Sequence, residues 1–315
     1  MYHSPLERGR LALQESAPRV CPRPGAVFGT TSDAFASGTL SGAGSTLIAP
    51  LENEWAAQFD NANPGDEVNY AGVGEDRGFQ DVAKGLVDFG AVDAPLTSDG
   101  GVTCSGCVLV PWALSATGIG YNISGVGEKL KLTGKVLAMI YLGPITNWDN
   151  PAITGVNKGV HLPNLTITPV FRSDTSGDSY AFTGYLSAVS SAWTAKNGGA
   201  TVSFPTSVGR GERGNSGVAS EISSVNGSIG YVSASYLIAQ KITVAQVQNT
   251  KGNYEYPNLA NIENAASEVK SVPPGNVLSI VDPPKQHKEA YPISEFGYAL
   301  VPASGNKNAA CSNSG

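Results

Sequence analysis

One stretch of the sequence combines a fixed positive charge with hydroxyl groups and a glycine at a predicted helix start. It runs from Phe171 to Tyr180 and contains Arg172, Ser176 and Gly177. An alternating apolar run precedes it and a predicted helix over 180–189 follows. The first N–H groups of a helix have no intrahelical partner and lie at the positive end of its dipole. The stretch therefore suits an anion site; the alternative is an ordinary helix capped by serine.

Two further turns and one acidic residue could complete such a site. Ser41–Thr46 is a turn of small residues before a predicted helix from Leu47 to Phe59, whose apolar residues recur every four positions. Gly72–Gly78 follows a predicted strand and precedes a short amphipathic helix. Asp93 ends another predicted strand, where an aspartate either caps a turn or serves a site.

Strands and helices alternate along the whole chain, which predicts the α/β class with mostly parallel strand pairing. The 315 residues suffice for two domains. The net charge is −6 and the pI about 5.1. Since no basic stripe exists, we do not expect nucleic acid as a partner.

Residues for catalysis are scarce. The three histidines, His3, His161 and His287, lie in polar or loop contexts, and neither a Gly-x-Ser-x-Gly elbow nor a Walker A loop occurs. The pattern of helix starts, one arginine and a strand-end aspartate favours binding of a tetrahedral oxyanion without chemistry. We expect no cofactor, no metal and no enzymatic activity.

The cysteine pattern and the ends of the chain indicate the compartment. Cys104-Ser-Gly-Cys107 has no second such pair and no nearby histidine, which argues against zinc and favours a local disulfide in an exported protein. Residues 1–37 carry several arginines but no apolar core of a signal peptide, and we expect them to be disordered.

Six motifs occur in an order that is typical of one family. They are Ser41–Leu51, Asp88–Leu96, Gly143–Trp148, Arg172–Asp178, Gly214–Ala219 and Gly227–Val232. Together they resemble the extracytoplasmic phosphate-binding protein of the bacterial ABC phosphate importer, over roughly residues 38–305.

The resemblance implies a two-lobed periplasmic-binding-protein fold of the type II kind, with a mostly parallel sheet flanked by helices in each lobe. Residues 38–115 plus 258–315 would form lobe I and residues 116–257 lobe II. The lobes would close on the ligand by hinge motion. Family members continue past the last strand with an apolar helix, so lobe I is expected to be C-terminally truncated, with exposed core surface.

The implied function is capture of inorganic phosphate and its delivery to the permease subunits of an ABC importer. The protein would act as a monomer, in the periplasm or as a cell-surface lipoprotein. Two alternatives use the same scaffold: a phosphohydrolase, and a phosphate sensor or adhesin without a transport role.

The resemblance also implies which residues bind phosphate, namely Ser45, Thr46, Leu47, Glu75, Asp93, Arg172, Ser176, Gly177 and Asp178. Asp93 would accept the proton that phosphate keeps near neutral pH. Sulfate has no such proton, so two unpaired acceptors would face each other and sulfate would be rejected.

Glu75 departs from the family pattern, because a serine that contacts phosphate usually stands there, and Arg77 replaces a small residue. Three explanations are open. Glu75 could turn outward while Arg77 compensates, the affinity for phosphate could be weakened, or the sequence could contain a local error.

Overall fold

The computed structural model of this chain describes residues 38–95, 104, 106–193, 198–205, 207, 209–282 and 288–303. The strands are β1 Thr39–Gly44, β2 Glu67–Gly72, β3 Phe89–Val92, β4 Cys107–Asn122, β5 Lys131–Leu132, β6 Thr168–Arg172, β7 Arg210–Glu212, β8 Ser228–Ser233, β9 Thr243–Val244, β10 Gln246–Gln248, β11 Tyr254–Glu255 and β12 Ser294–Pro302. The helices are α1 Ala49–Ala62, α2 Glu75–Ala83, α3 Gly134–Leu142, α4 Pro151–Thr154, α5 Gly177–Val189, α6 Gly214–Ser224, α7 Ala234–Ala239 and α8 Leu259–Ala266.

A nine-stranded mixed sheet organises the described chain, in the order β2-β1-β3-β12-β4-β8-β6-β7 with β9 alongside β4. The pairs toward both ends are parallel: β1 with β2 and β3, and β6 with β7 and β8. The strands in the middle, β12, β4 and β8, pair antiparallel. The two parallel ends are thus joined by antiparallel strands, and the α/β prediction is confirmed with that refinement.

The long strand β4 belongs to both halves of the sheet. Its first part pairs with β12 as far as Ala116 opposite Ser294, and its second part pairs with β8 from Thr117 opposite Ser233. The sequence predicts two apolar strands, over 108–114 and 117–122, that could cross between two domains, and they form this single 16-residue strand. The division into lobes at residues 115 and 258 stays a prediction.

The largest apolar core lies on the β8 side of the sheet and is rich in aromatic rings. Trp148, Phe182, Tyr231 and Tyr141 are fully buried there, and Phe182 stacks on Tyr231 with ring centroids 4.4 Å apart. The indole N–H of Trp148 donates to the Gly227 carbonyl over 3.0 Å, so its one polar atom is satisfied. This core supports β6 and α5, the two elements that join at the Arg172–Asp178 motif.

Helix α1 exists as predicted, but its apolar stripe does not face the core. It begins at Ala49, with Pro50 in the first turn where proline is tolerated. Leu51, Trp55 and Phe59 remain 37–45% exposed, while the buried face carries two alanines and Glu52. The ring of Trp55 packs edge-on against Trp112 of β4, with centroids 5.9 Å apart.

A disulfide joins Cys104 to Cys107, the first residue of β4. The predicted disordered segment 1–37 and the end of the chain at 304–315 lie outside the described residues.

Glu52 of α1 gives the fold a pH-dependent stability. Its side chain is 5% exposed, and its Oε1 has no hydrogen-bond partner among the described residues. Burial raises the pKa of Glu52 to about 7 from 4.5. The folded chain therefore holds a proton that the unfolded chain releases, and Glu52 lowers the free energy of unfolding as the pH rises from about 4.5 to about 7.

Replacement of Glu52 by glutamine is expected to stabilise the protein above about pH 7 by about 1–3 kcal/mol and to have little effect at about pH 4, where the carboxyl group is mostly protonated in both states. Thermal unfolding of both proteins at the two pH values measures the difference. Glu54→Gln, an exposed change on the same helix, is the matched control. A gain for Glu52→Gln that does not grow with pH would contradict this role of burial.

Candidate functional site

Arg172 lies at the end of β6, and its guanidinium is held by three side chains. Nε and Nη2 donate to the two carboxylate oxygens of Asp174 over 2.7 and 2.8 Å. Nη1 donates to Ser176 Oγ over 2.7 Å and to Asp178 Oδ2 over 3.0 Å. Only 3% of Arg172 is exposed. Burial acts to lower its pKa, but the bond and charge of Asp174 and the charge of Asp178 raise the pKa overall, so the positive charge is permanent.

The start of α5 lies directly beside this guanidinium. Ser176 is the residue before the helix, yet its hydroxyl caps no helical N–H and instead accepts from Arg172. The Gly177 N–H donates to Glu75 Oε1 over 2.5 Å. A Cβ at Gly177 would lie 2.3 Å from the Cβ of Asp93, so only glycine permits this approach.

The turn after β1 meets the strand-end aspartate on the other side of the site. Ser45 Oγ donates to Asp93 Oδ2 and accepts from the Leu47 N–H over 3.0 Å. Asp93 is 4% exposed, and its Oδ1 has no hydrogen-bond partner in the part of the chain that is described. The Thr46 hydroxyl accepts from Asn215 Nδ2 over 3.0 Å.

The Glu75 side chain turns into the site, and the Arg77 side chain turns away from it. Glu75 opens α2 and is 6% exposed. The side chain of Arg77 is 60% exposed, and its Nε pairs with Asp81 Oδ2 over 2.9 Å. The explanation in which Glu75 faces outward and Arg77 compensates is therefore wrong. The carboxylate of Glu75 takes the helix N–H that an anion would use.

The structure adds residues that sequence reasoning missed. Asn215, at the start of α6, donates from Nδ2 to Asp178 Oδ2 over 2.8 Å, and its Oδ1 accepts from the Ser233 N–H over 2.8 Å. Thr117 of β4 and Glu295 of β12 lie on the far side of Asp178. The available signal for Glu295 was a single charge within the apolar run of β12.

Burial raises the pKa of four carboxyl groups in the site. Burial is the largest cause for Glu75, Asp178 and Glu295. The pKa of Asp93 is raised well above its usual value by burial and then by the charges of Glu75 and Glu295. With Arg172 as their positive neighbour, these groups favour states in which protons are shared among them.

A cavity of about 780 Å³ opens just outside these buried groups. Thr46, Asp174 and Gly214 border both the cavity and the site, and Arg77 and Arg213 also line the cavity. The cavity therefore connects the site with the surface. In the residues that the structure describes, no cluster suits a metal ion, and no helix is both long and apolar enough to cross a membrane.

The sequence of this chain matches known proteins over most of its length. A model of the PBP superfamily domain matches residues 29–310. A phosphate-binding protein PstS from Xylella fastidiosa (strain Temecula1) is 36% identical over 265 residues, which are 84% of this chain and 71% of that protein. PstS from Methanocaldococcus jannaschii is 35% identical over 274 residues, covering 82% of this chain and 70% of that protein.

Solved structures show the same fold at lower identity. A putative phosphate ABC transporter substrate-binding protein from Clostridium perfringens, solved with bound phosphate, has a TM-score of 0.59 and 19% identity, with 84% of this chain and 86% of that chain covered. The high-affinity periplasmic phosphate-binding protein PfluDING, also with phosphate, has a TM-score of 0.62 and 20% identity, with 84% and 80% covered.

Proposed function

We propose a transport function for this chain, which belongs to the PstS family of phosphate-binding proteins within the PBP superfamily. It captures inorganic phosphate outside the cytoplasm and delivers it to the permease of an ABC importer. The relatives are named as phosphate-binding proteins, which favours this role over a phosphohydrolase or a sensor without transport. Capture is by a monomer, without catalysis or a cofactor. The protein works in the periplasm or as a cell-surface lipoprotein.

One observation carries the proposal: three kinds of group that a partly protonated oxyanion needs converge at the start of α5. Arg172 supplies a permanent positive charge, the Gly177 N–H supplies a donor at the positive end of a 13-residue helix, and Asp93 supplies a buried acceptor oxygen without a partner. Phosphate replaces the carboxylate of Glu75 at the Gly177 N–H. Ser45, Thr46, Leu47, Ser176 and Asp178 border the same position.

Isothermal titration of the full chain with phosphate, arsenate and sulfate near pH 7 tests the proposal. Phosphate and arsenate are expected to bind and sulfate to fail, because sulfate brings no proton to Asp93. Absence of phosphate binding, or equal binding of sulfate, would overturn the proposed function.

Asp93→Asn is expected to improve sulfate binding by about 10- to 100-fold near pH 7, since an amide N–H replaces an unpaired acceptor. Because the pKa of Asp93 is raised by burial and by Glu75, acidification protonates it and should loosen selectivity in the wild type in the same direction. The ratio of the phosphate and sulfate dissociation constants, measured against pH for both proteins, reports this. A variant that still excludes sulfate would remove Asp93 from the account.

A further inference from the structure

Glu295 is a buried carboxyl group at the rear of the site. It lies on β12, opposite Ser115 of β4, near the point where β4 passes from one half of the sheet to the other. It is 4% exposed, and its Oε2 has no hydrogen-bond partner within the described ranges. A buried carboxylate without a positive partner is costly, so burial favours the neutral, protonated form of Glu295.

The contacts of the Thr117 hydroxyl show that one of the two carboxyl groups beside it must be protonated. Its oxygen lies 2.7 Å from Glu295 Oε1 and 2.9 Å from Asp178 Oδ1. A hydroxyl group carries one proton and can donate one hydrogen bond, while it can accept another. Both short contacts are satisfied only if one of the two carboxyl groups brings a proton of its own.

That proton belongs on Glu295. Asp178 accepts from Arg172 over 3.0 Å and from Asn215 over 2.8 Å, and both bonds stabilise its ionised form. Glu295 has Thr117 as its bonding partner, and burial followed by the charge of Asp178 raises its pKa well above the usual 4.5. A protonated Glu295 donates to Thr117 Oγ1, which then donates to Asp178.

Other groups act on Glu295 from every neighbouring element. They are Glu75 of α2, Asp93 after β3, Asp178 of α5, Arg172 of β6 and Tyr298 of β12 itself. These neighbours include three carboxyl groups and one guanidinium, and a bound oxyanion adds further negative charge. An anion placed beside a carboxyl group favours its protonated form.

We propose that the pocket accepts the oxyanion only while Glu295 carries this proton: where a rise in pH has removed it from the free protein, Glu295 takes it up again as the ligand binds, so phosphate and arsenate are loaded together with a proton on the protein. This inference rests on the proposed function. The proton comes from solvent and stays on Glu295 Oε1, between Glu295 and Thr117, and no covalent bond of the ligand changes.

The affinity for phosphate should therefore fall as the pH rises, and part of that fall belongs to Glu295. Each proton taken up on binding weakens the affinity about tenfold per pH unit. In Glu295→Gln the side chain is neutral at every pH, so the affinity for phosphate should fall less steeply with pH. Its amide group also retains a donor for Thr117.

Titration calorimetry of wild type, E295Q and the exposed control E128Q with inorganic phosphate, from about pH 6 to about pH 9, tests this. Buffers of different ionisation enthalpy give the number of protons taken up. Wild type and E128Q are expected to take up more protons than E295Q, by up to about one. Their affinity for phosphate should also fall more steeply than that of E295Q, by up to about tenfold more per pH unit. E295D, which keeps a carboxyl group, should retain uptake.

Equal proton uptake by wild type and E295Q would overturn the inference and leave the proposed function intact. Absence of phosphate binding in all four proteins would overturn both. If E295Q does not fold, the wild type decides, because uptake that never exceeds the one proton that dibasic phosphate itself can take up would contradict a further proton on Glu295.

Discussion

Replacement of Arg172 by alanine is expected to weaken phosphate binding by at least about 1,000-fold and to lower the free energy of unfolding by about 3–5 kcal/mol. Only 3% of Arg172 is exposed, and its guanidinium bonds to Asp174, Ser176 and Asp178. Its loss leaves two buried carboxylates without their positive partner. It also removes the permanent charge that faces the ligand.

Two further variants separate charge from shape at this position. Arg172→Lys keeps the charge but cannot bond Asp174 through two parallel N–H groups, so an intermediate loss of affinity is expected. Arg210→Ala removes an exposed arginine paired with Glu221 and should change neither binding nor stability by more than about 1 kcal/mol. Calorimetry measures the dissociation constant for phosphate, and chemical denaturation measures the free energy of unfolding. Retained phosphate affinity in a folded Arg172→Ala protein would contradict the proposed site.

Replacement of Glu75 by serine is expected to strengthen phosphate binding about 10- to 100-fold. The Glu75 carboxylate accepts from the Gly177 N–H over 2.5 Å, and phosphate has to displace it. Serine frees that donor, adds a hydroxyl group and removes one negative charge from beside Asp93. The effect is a gain of function, which a merely damaged fold could not produce.

Glu75→Gln is the matched control because it removes the charge but keeps an oxygen that can occupy the Gly177 N–H. Its gain should be smaller than that of serine. Dissociation constants for the three proteins at constant pH and salt decide the matter. Weaker binding by Glu75→Ser would mean that the glutamate assists the ligand instead of competing with it.

The sequence is informative wherever local chemistry dictates the structure. A strand followed by Arg172, a hydroxyl residue and Gly177 before an apolar helix leads to one geometry, and the structure has the guanidinium beside the helix start. The existence of helix α1 could likewise be predicted from the spacing of its apolar residues. The direction of its apolar face could not be predicted, because Trp55 packs against Trp112, 57 positions along the chain.

Long-range placement accounts for what the sequence left open. The orientation of Glu75 depends on a bond to Gly177, which is 102 residues away. Glu295 meets Thr117 across 178 residues, through the antiparallel pairing of β12 with β4. Ser176 looks like a helix cap from its local sequence, but a buried arginine competes for its hydroxyl and is the partner in the structure.

A crystal structure of the full chain with phosphate would show directly whether this site binds the anion. Phosphate is expected to bond to the Arg172 guanidinium and to the Gly177 N–H, with one ligand oxygen within hydrogen-bond distance of Asp93 Oδ1 and the Glu75 carboxylate displaced from Gly177. Phosphate bound elsewhere, or a Glu75 carboxylate still bonded to the Gly177 N–H beside an occupied site, would contradict the proposed site.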